Sequence, residues 1–429
     1  MAGATAVATE RTVRVRMYNV GFGDCFLLEF PRADAAPYRI LVDCGSHSAG
    51  HPATGWRISE IVDTLVADLE GGRIDVVVAT HRHQDHVSGF EVPAWDDVVV
   101  GEVWLPWTED PNDPDATRIR TRQSSLALNL THAFAQQEFD TRWASARAAT
   151  GSTESLRAMV ANSLTNETAM RTLHRGFSGK PVRRFMSSPE TPAVRPAECP
   201  GLTVHVLGPS RNETTMRDMD PPSGQSYLRS AAAPPPGPGD VRFKGGVSQT
   251  QQPFSASFVV GGQTLGVDTR DKRIKDAAAG IMRDTDLATA VSLDKAVNGT
   301  SLMLMFEFGS AYLLFPGDAQ WGTWRSALDE STTCDLVSRT TFYKVGHHGS
   351  HNATPKEFLE TVLAPEHRMW CAAASVRPIS FWPEIPRDPL MTALGAHADR
   401  VLRSDSPGRS RKGVTVRAKK VGVDFLVPC

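Results

Sequence analysis

His81-x-His83-x-Asp85-His86 puts four metal-competent side chains into six residues. Directly before it runs Ile74-Asp75-Val76-Val77-Val78-Ala79, a short and mostly β-branched stretch that reads as a buried strand. The ligand cluster therefore falls where a strand stops and a loop begins. Such a loop can turn His81 and His83 toward one ion, and Asp85 and His86 toward a second. Imidazole nitrogen with carboxylate oxygen suits Zn²⁺, Mn²⁺ or Fe²⁺. Two ions about 3.5–4 Å apart can clamp and activate a water between them. A lone histidine here would read as an ordinary polar loop. Three of them with an aspartate, at this spacing after a strand, demand a fold that gathers loops around a cation.

The spacing of His81, His83, Asp85 and His86 resembles the signature of the metallo-β-lactamase fold superfamily. That resemblance implies an α/β (α+β) chain folded as a four-layer αββα sandwich, with one domain over residues 1–429. Other stretches take on roles within it. Val20-Gly21-Phe22-Gly23-Asp24, between two predicted strands, resembles the V-G-x-G-D turn of the branch that includes the soluble domain of the ComEC competence protein. Asp43, at the end of the strand Tyr38-Arg39-Ile40-Leu41-Val42-Asp43, matches a family aspartate that orients the ligand loop rather than binding metal. His47 and His51 match no family position and read as loop histidines. A helix is expected over Ile58 to Leu69, stopped by Gly71-Gly72.

Ala311-Tyr312-Leu313-Leu314-Phe315-Pro316-Gly317-Asp318 is a strand ending in Gly-Asp. By the resemblance, Asp318 bridges the two ions. Phe342-Tyr343-Lys344-Val345-Gly346-His347-His348-Gly349-Ser350 is close to the K-V-G-H-H-G-S motif of the ComEC-like branch. It implies His348 as a ligand and His347 toward substrate or leaving group, with the reverse assignment open. Lys344 and Ser350 would reach a phosphoryl oxygen, although Lys344 reads equally well as a solvated strand-edge lysine. One departure stands out. Where many superfamily members carry a third histidine for the first ion, this chain has Asn298-Gly299-Thr300-Ser301. Asparagine is a poor transition-metal ligand, so that ion site is expected to be weaker, wetter or filled by a harder ion such as Mn²⁺.

The resemblance covers residues 12–106, 200–210 and 296–427. Residues 107–199 read as a mainly helical cap, with Leu126, Leu130 and Phe134, then Leu156, Val160 and Leu164, at helical spacing. Arg171, Arg175, Lys180, Arg183 and Arg184 make it basic, which is either a solvated face or a phosphate-facing patch. Residues 211–297 form a second insertion, with a Pro/Gly-rich loop at 231–239, a hairpin signal around Gly261-Gly262 and a helix over Lys272 to Met282. His205 reads as packed within a strand, and Trp321 and Trp324 as core. A helix is expected over Pro355 to Val362, and a closing hairpin over Gly413 to Val427 that carries Arg409, Arg411, Lys412, Arg417, Lys419 and Lys420.

The formal net charge of −2 gives no global field toward polyanions, so any phosphate site must be local. Six cysteines stand singly and read as buried thiols in a reducing compartment rather than as a disulfide framework. Residues 1–10 lack a basic segment followed by an apolar one, and no apolar run approaches the ~20 residues of a membrane helix. A cytoplasmic enzyme that does not meet a membrane is the resulting expectation. The expected function is hydrolysis by a water activated between two divalent ions, Zn²⁺ or Mn²⁺. Asp85 or Asp318 would orient the nucleophile, and His347 or Lys344 would stabilise developing charge. The expected substrate is a phosphodiester in DNA, RNA or a nucleotide. Two alternatives stay open: a hydrolase of carbon esters or amides, and a nucleotide-sensing or partner-binding protein with little turnover, its partner held by the insertions.

Overall fold

The computed structural model describes residues 11–33, 35–47, 56–141, 160, 162, 166–227, 292–352, 354–363, 367–379, 382 and 384–429. The expectations for residues 231–239, the hairpin at 255–267, the helix at 272–282, His51, Leu156 and Leu164 lie outside them. The strands form two sheets. The first holds β1 (Thr12–Tyr18), β2 (Cys25–Phe30), β3 (Tyr38–Cys44), β4 (Ile74–Val78), β5 (Val100–Pro106) and β6 (Val182–Met186). The second holds β7 (Leu202–Gly208), β8 (Met303–Phe308), β9 (Ala311–Phe315), β10 (Phe342–Lys344), β11 (Cys371–Ala374) and β12 (Val401–Arg403). The chain then returns to the first sheet with β13 (Val414–Val416) and β14 (Gly422–Pro428). Strand orders are β13-β14-β1-β2-β3-β4-β5-β6 and β12-β11-β10-β9-β8-β7.

Both sheets are mixed. From β13 to β3 the first is antiparallel, and from β3 to β6 it is parallel. The second is antiparallel across β7, β8 and β9 and parallel across β9 to β12. Parallel neighbours need crossovers, and helices supply them. Ile58–Asp68 joins β3 to β4, burying Ile61, Val62 and Leu65, while the Glu60 side chain accepts the Arg57 amide at 2.8 Å and caps the helix start. Trp321–Asp329 and Ser331–Ser338 join β9 to β10, and Asp388–His397 joins β11 to β12.

Side-chain alternation sorts the apolar residues into separate cores. Phe26, Leu28 and Phe30 of β2 share one cluster with Leu304 and Phe306 of β8 and Phe315 of β9, so this core lies between the sheets. Phe26 meets Phe315 edge-on at 5.5 Å. The alternate residues Leu27, Leu41 and Val77 pack with Ile61 and Leu65 of the first crossover helix. Met305, Leu314 and Tyr343 pack with Trp324, Leu390 and Leu394. Each fully buried side chain of this size contributes about 1.5–3 kcal/mol.

Several expectations meet particular outcomes here. Trp324 is buried at 0% exposure and Trp321 at 6%. Residues 356–362 are helical, ending in a π-helical turn over Phe358–Val362. His205 bonds Glu307 at 2.8 Å and is only partly buried. In the stretch read as a cap, Val182–Met186 instead extends the first sheet by pairing with β5. That explains two of the basic residues: Arg184 makes a bidentate pair with Glu102 of β5, and Arg183 donates to the carbonyls of Leu173, Gly176 and Pro181. The cysteines are all thiols, Cys25, Cys44, Cys199 and Cys371 buried, but Cys334 and Cys429 only partly so. Among the described residues no helix is long and apolar enough to cross a membrane.

Candidate metal centre

The parallel halves of both sheets end at one place, and the candidate ligands leave from their carboxyl ends. This is where open α/β sheets generally present functional loops. Asp43 ends β3, and Thr80 to His86 follow β4. Gly317-Asp318 follows β9, Gly346–Gly349 follows β10, and Ser375 follows β11. Cross-loop backbone bonds hold these ends together: Leu302 N–H to Thr80 O at 2.9 Å, His347 N–H to Gly317 O at 3.2 Å, and Asp24 N–H to Asp85 O at 2.9 Å. Asp43, His347 and His348 have φ of 55°, 43° and 52°, in the left-handed region that costs a non-glycine residue energy. At Asp43 the strained turn aims both carboxylate oxygens at the ligand loop. Oδ1 accepts from the Thr80 amide at 2.7 Å, and Oδ2 from the Thr80 hydroxyl at 2.7 Å and His86 Nδ1 at 2.8 Å.

Asp85, His86, Asp318 and His348 are all buried and present ligand atoms within 4.8 Å of one another. His86 Nε2 lies 3.3 Å from Asp318 Oδ2, and His348 Nε2 lies 3.2 Å from Asp85 Oδ2. Among the described residues, Asp85 Oδ1 and Asp318 Oδ1 are buried without a hydrogen-bond partner. Leaving a buried carboxylate oxygen unmatched costs energy that a cation would recover, so these residues fit a divalent ion. Beside them His81 Nε2 faces His83 Nδ1 at 3.1 Å, and the His81 and His86 rings lie 4.1 Å apart. His347 is outside the four-residue group. Its Nε2 lies 3.6 Å from Asp318 Oδ2, and it is 17% exposed at the wall of a cavity shared with His83, Asp85 and Asp318.

Asp24, Asp43 and His86 form a second cluster, also within 4.8 Å. Here the protein supplies its own cation. Lys344 is buried, its ammonium is ion-paired with Asp24, and it lies 3.8 Å from Asp318 Oδ1. Lys344 is thus not the solvated strand-edge lysine that was one of its two expected readings: burial would lower its pKa, but Asp24 and Asp318 raise it and keep it charged. Ser350 is also buried, donates to Asn352 Oδ1 at 2.9 Å and lines the cavity.

Charge divides the histidines. Burial, with the charge of His86, holds His81 well below its usual value, and burial pulls His83 down to about 4. Both are therefore neutral, the form that binds a metal. For His86 burial acts downward too, but the carboxylates of Asp318, Asp43 and Asp85 raise it well above its usual value. His348 is raised against its burial by Asp24 and by its bond to Asp85. Burial is the largest influence and opposes ionisation of Asp85 and Asp318, but His86 and His348 together, with His347 for Asp318, outweigh it and hold both low. A metal must displace protons from His86 and His348 to use them.

Several residues at the site are ones the sequence reading passed over. His47, read as a loop histidine, is buried against Trp382 at 5.6 Å and Phe22 at 6.3 Å, and Phe22 in turn packs on His348 at 4.4 Å. Glu109 makes a bidentate pair with Arg82, at 2.9 and 2.8 Å, which pins the ligand loop between His81 and His83. Asn162 accepts from the Gln84 amide at 2.9 Å, and Asn166 donates to Arg82 O at 2.6 Å. Asp294 lines the cavity, where burial and the charges of Asp85 and Asp318 push it up to about 8. The signal for Asp294 was local: it stands four residues before Asn298 on a helical turn at 292–298. Asn298 is fully buried, with Nδ2 3.4 Å from Asp294 Oδ2. No family model matches the chain, and no curated protein matches it.

Proposed function

We propose that the protein is a metal-dependent hydrolase of phosphodiesters in DNA, RNA or nucleotides, built as the four-layer αββα sandwich of the metallo-β-lactamase superfamily, in its ComEC-like branch. The observation that carries this reading is the convergence of Asp85, His86, Asp318 and His348, from three separate stretches of chain, within 4.8 Å. Those four would hold one Zn²⁺ or Mn²⁺, and His81 and His83 with Asp318 would hold a second. Bound there, such ions supply an acidified water and polarise a phosphoryl oxygen. The chain's own residues do the rest. Asp43 and Glu109 fix the ligand loop from opposite sides, through Thr80 and Arg82. Lys344 neutralises Asp24 and keeps Asp318 ionised. His347 lines the cavity, with Nε2 3.6 Å from Asp318 Oδ2, and can take a proton from an incoming water or return one to the departing oxygen. His351 and Arg387 line the same cavity and suit an anionic substrate, which favours a phosphodiester over a neutral ester or amide.

The test is cleavage by metal-stripped protein resupplied with Mn²⁺, Zn²⁺ or Mg²⁺. Substrates are single- and double-stranded DNA, RNA and bis-p-nitrophenyl phosphate, with nitrocefin and a lactone as the carbon-centred arm. Cleavage of a phosphodiester that requires metal and disappears in Asp85→Ala is the expected result. Turnover confined to nitrocefin or the lactone would sink the substrate class, and metal binding without turnover of any substrate would sink the enzyme reading.

A further inference from the structure

A metal-bound imidazole needs its other ring nitrogen held by an acceptor, which sets the tautomer and the ring angle. Three of the four histidines at this centre have such an acceptor in plain view. His81 turns Nε2 to the centre and donates from Nδ1 to Thr80 Oγ1 at 3.1 Å, that hydroxyl itself donating to Asp43. His86 turns Nε2 to Asp318 and donates from Nδ1 to Asp43 at 2.8 Å. His348 turns Nε2 to Asp85 and donates from Nδ1 to Ser375 O at 2.9 Å. His83 is reversed: Nδ1 faces His81, so Nε2 is the outward nitrogen. The carboxylate it meets is Asp294, with Oδ1 at 3.8 Å.

We propose that Asp294 is the positioning residue of the His81–His83 side of the centre, holding His83 by its Nε2–H. The inference rests on the metal-hydrolase reading. At 3.8 Å the two groups are within ion-pair range and outside hydrogen-bond range, so the bond forms when the centre tightens by about 1 Å around a bound ion. A further contact aims the carboxylate. Asn298, one helical turn on, approaches Oδ2 with Nδ2 at 3.4 Å, while among the described residues its buried Oδ1 has no hydrogen-bond partner. Asn162 lines the same cavity as Asp294 and accepts the Gln84 amide at 2.9 Å, so the carboxylate and the ligand loop's backbone share one wall-forming neighbour. The neighbouring ammonium, on Lys295, is taken by Asp220. Asp294 closes the second insertion, so that segment contributes to the centre itself.

The experiment is calorimetric titration of the metal-stripped full chain with Mn²⁺ or Zn²⁺, together with the visible spectrum of the Co²⁺-loaded form. Asp294→Asn is expected to weaken one of two sites by about 10–100-fold and leave the other unchanged. It is also expected to shift the Co²⁺ bands, with Asp294→Glu restoring both. In a His83→Gln background, Asp294→Asn should have no further effect if it acts through that ring. Two sites of unchanged affinity and an unchanged Co²⁺ spectrum in Asp294→Asn would overturn the inference and leave the hydrolase reading standing. A wild-type chain that binds no ion would overturn both.

Discussion

At the scale of single residues, the centre depends on buried charges that hold one another. Glu109 is the clearest case away from the ligands. Burial would raise its pKa, but Arg82 outweighs burial and, with His174, holds it at about 2 rather than 4.5. A group depressed on folding stabilises the native state fully above its unfolded value and loses that contribution as pH falls toward the folded one. Glu109 therefore contributes on the order of 3 kcal/mol above about pH 4.5, lost between there and about pH 2. Glu109→Gln should lower stability by about that amount at pH 7, leaving the part-buried Arg82 without its bidentate partner. Urea unfolding at pH 7 and pH 3 checks this: the gap between wild type and variant should narrow at the lower pH. A gap that stays constant would mean that the pair is not what holds the loop.

At the scale of elements, the turns carry more of the site than the strands do. Gly45 shows why. A Cβ there would fall against the backbone of Asp85 and His86, so the turn after β3 can approach the ligand loop only without a side chain. Gly45 N–H also donates to Asp24 O at 2.9 Å, tying the same turn to the loop before β2. Gly45→Ala should push the Asp85–His86 turn off its place. The expected result is a loss of metal affinity of at least about tenfold with the far-ultraviolet circular dichroism spectrum unchanged. Wild-type affinity in that variant would show that the turn has room to give. By contrast, Phe315→Ala in the inter-sheet core should cost about 3–5 kcal/mol, read by denaturant midpoint, because it empties a fully packed position between the sheets.

At the scale of the whole molecule, both sheets send residues to the candidate metal centre. Asp43 and the His81–His86 loop come from the first, and Asp318, His348 and Ser375 from the second. An ion bound between them would clamp the halves together, and it stabilises the folded state by RT ln(1 + [L]/Kd). At a hundredfold excess over Kd that is about 2.7 kcal/mol, so chelation should lower Tm by several degrees and added metal should restore it. Asp318→Asn should abolish that difference. A Tm indifferent to chelator would speak against an ion at the sheet junction.

The strands and the candidate ligands were legible in the sequence because both are local patterns. A β-branched run announces β4, and His81 to His86 lie within one loop. The Gly-Asp and Gly-His-His turns likewise stand at visible strand ends. What local pattern could not supply was partnership across long chain separations. His348 reaches Asp85 over 263 positions, and Lys344 reaches Asp24 over a comparable span, which turns a lysine that also read as a solvated strand edge into half of an internal ion pair. Arg184 read as a basic surface until β6 brought it beside Glu102. Asp294 had no motif of its own, and it acquires a role only because the turn at 292–298 lies over His83. The sequence determined by itself which side chains are chemically able to hold a cation and where each strand would release them. Only the tertiary structure decided which nitrogen faces inward, which charges cancel and which carboxylate stands behind each ring, because those depend on distances of a few ångströms between residues that the chain itself keeps far apart.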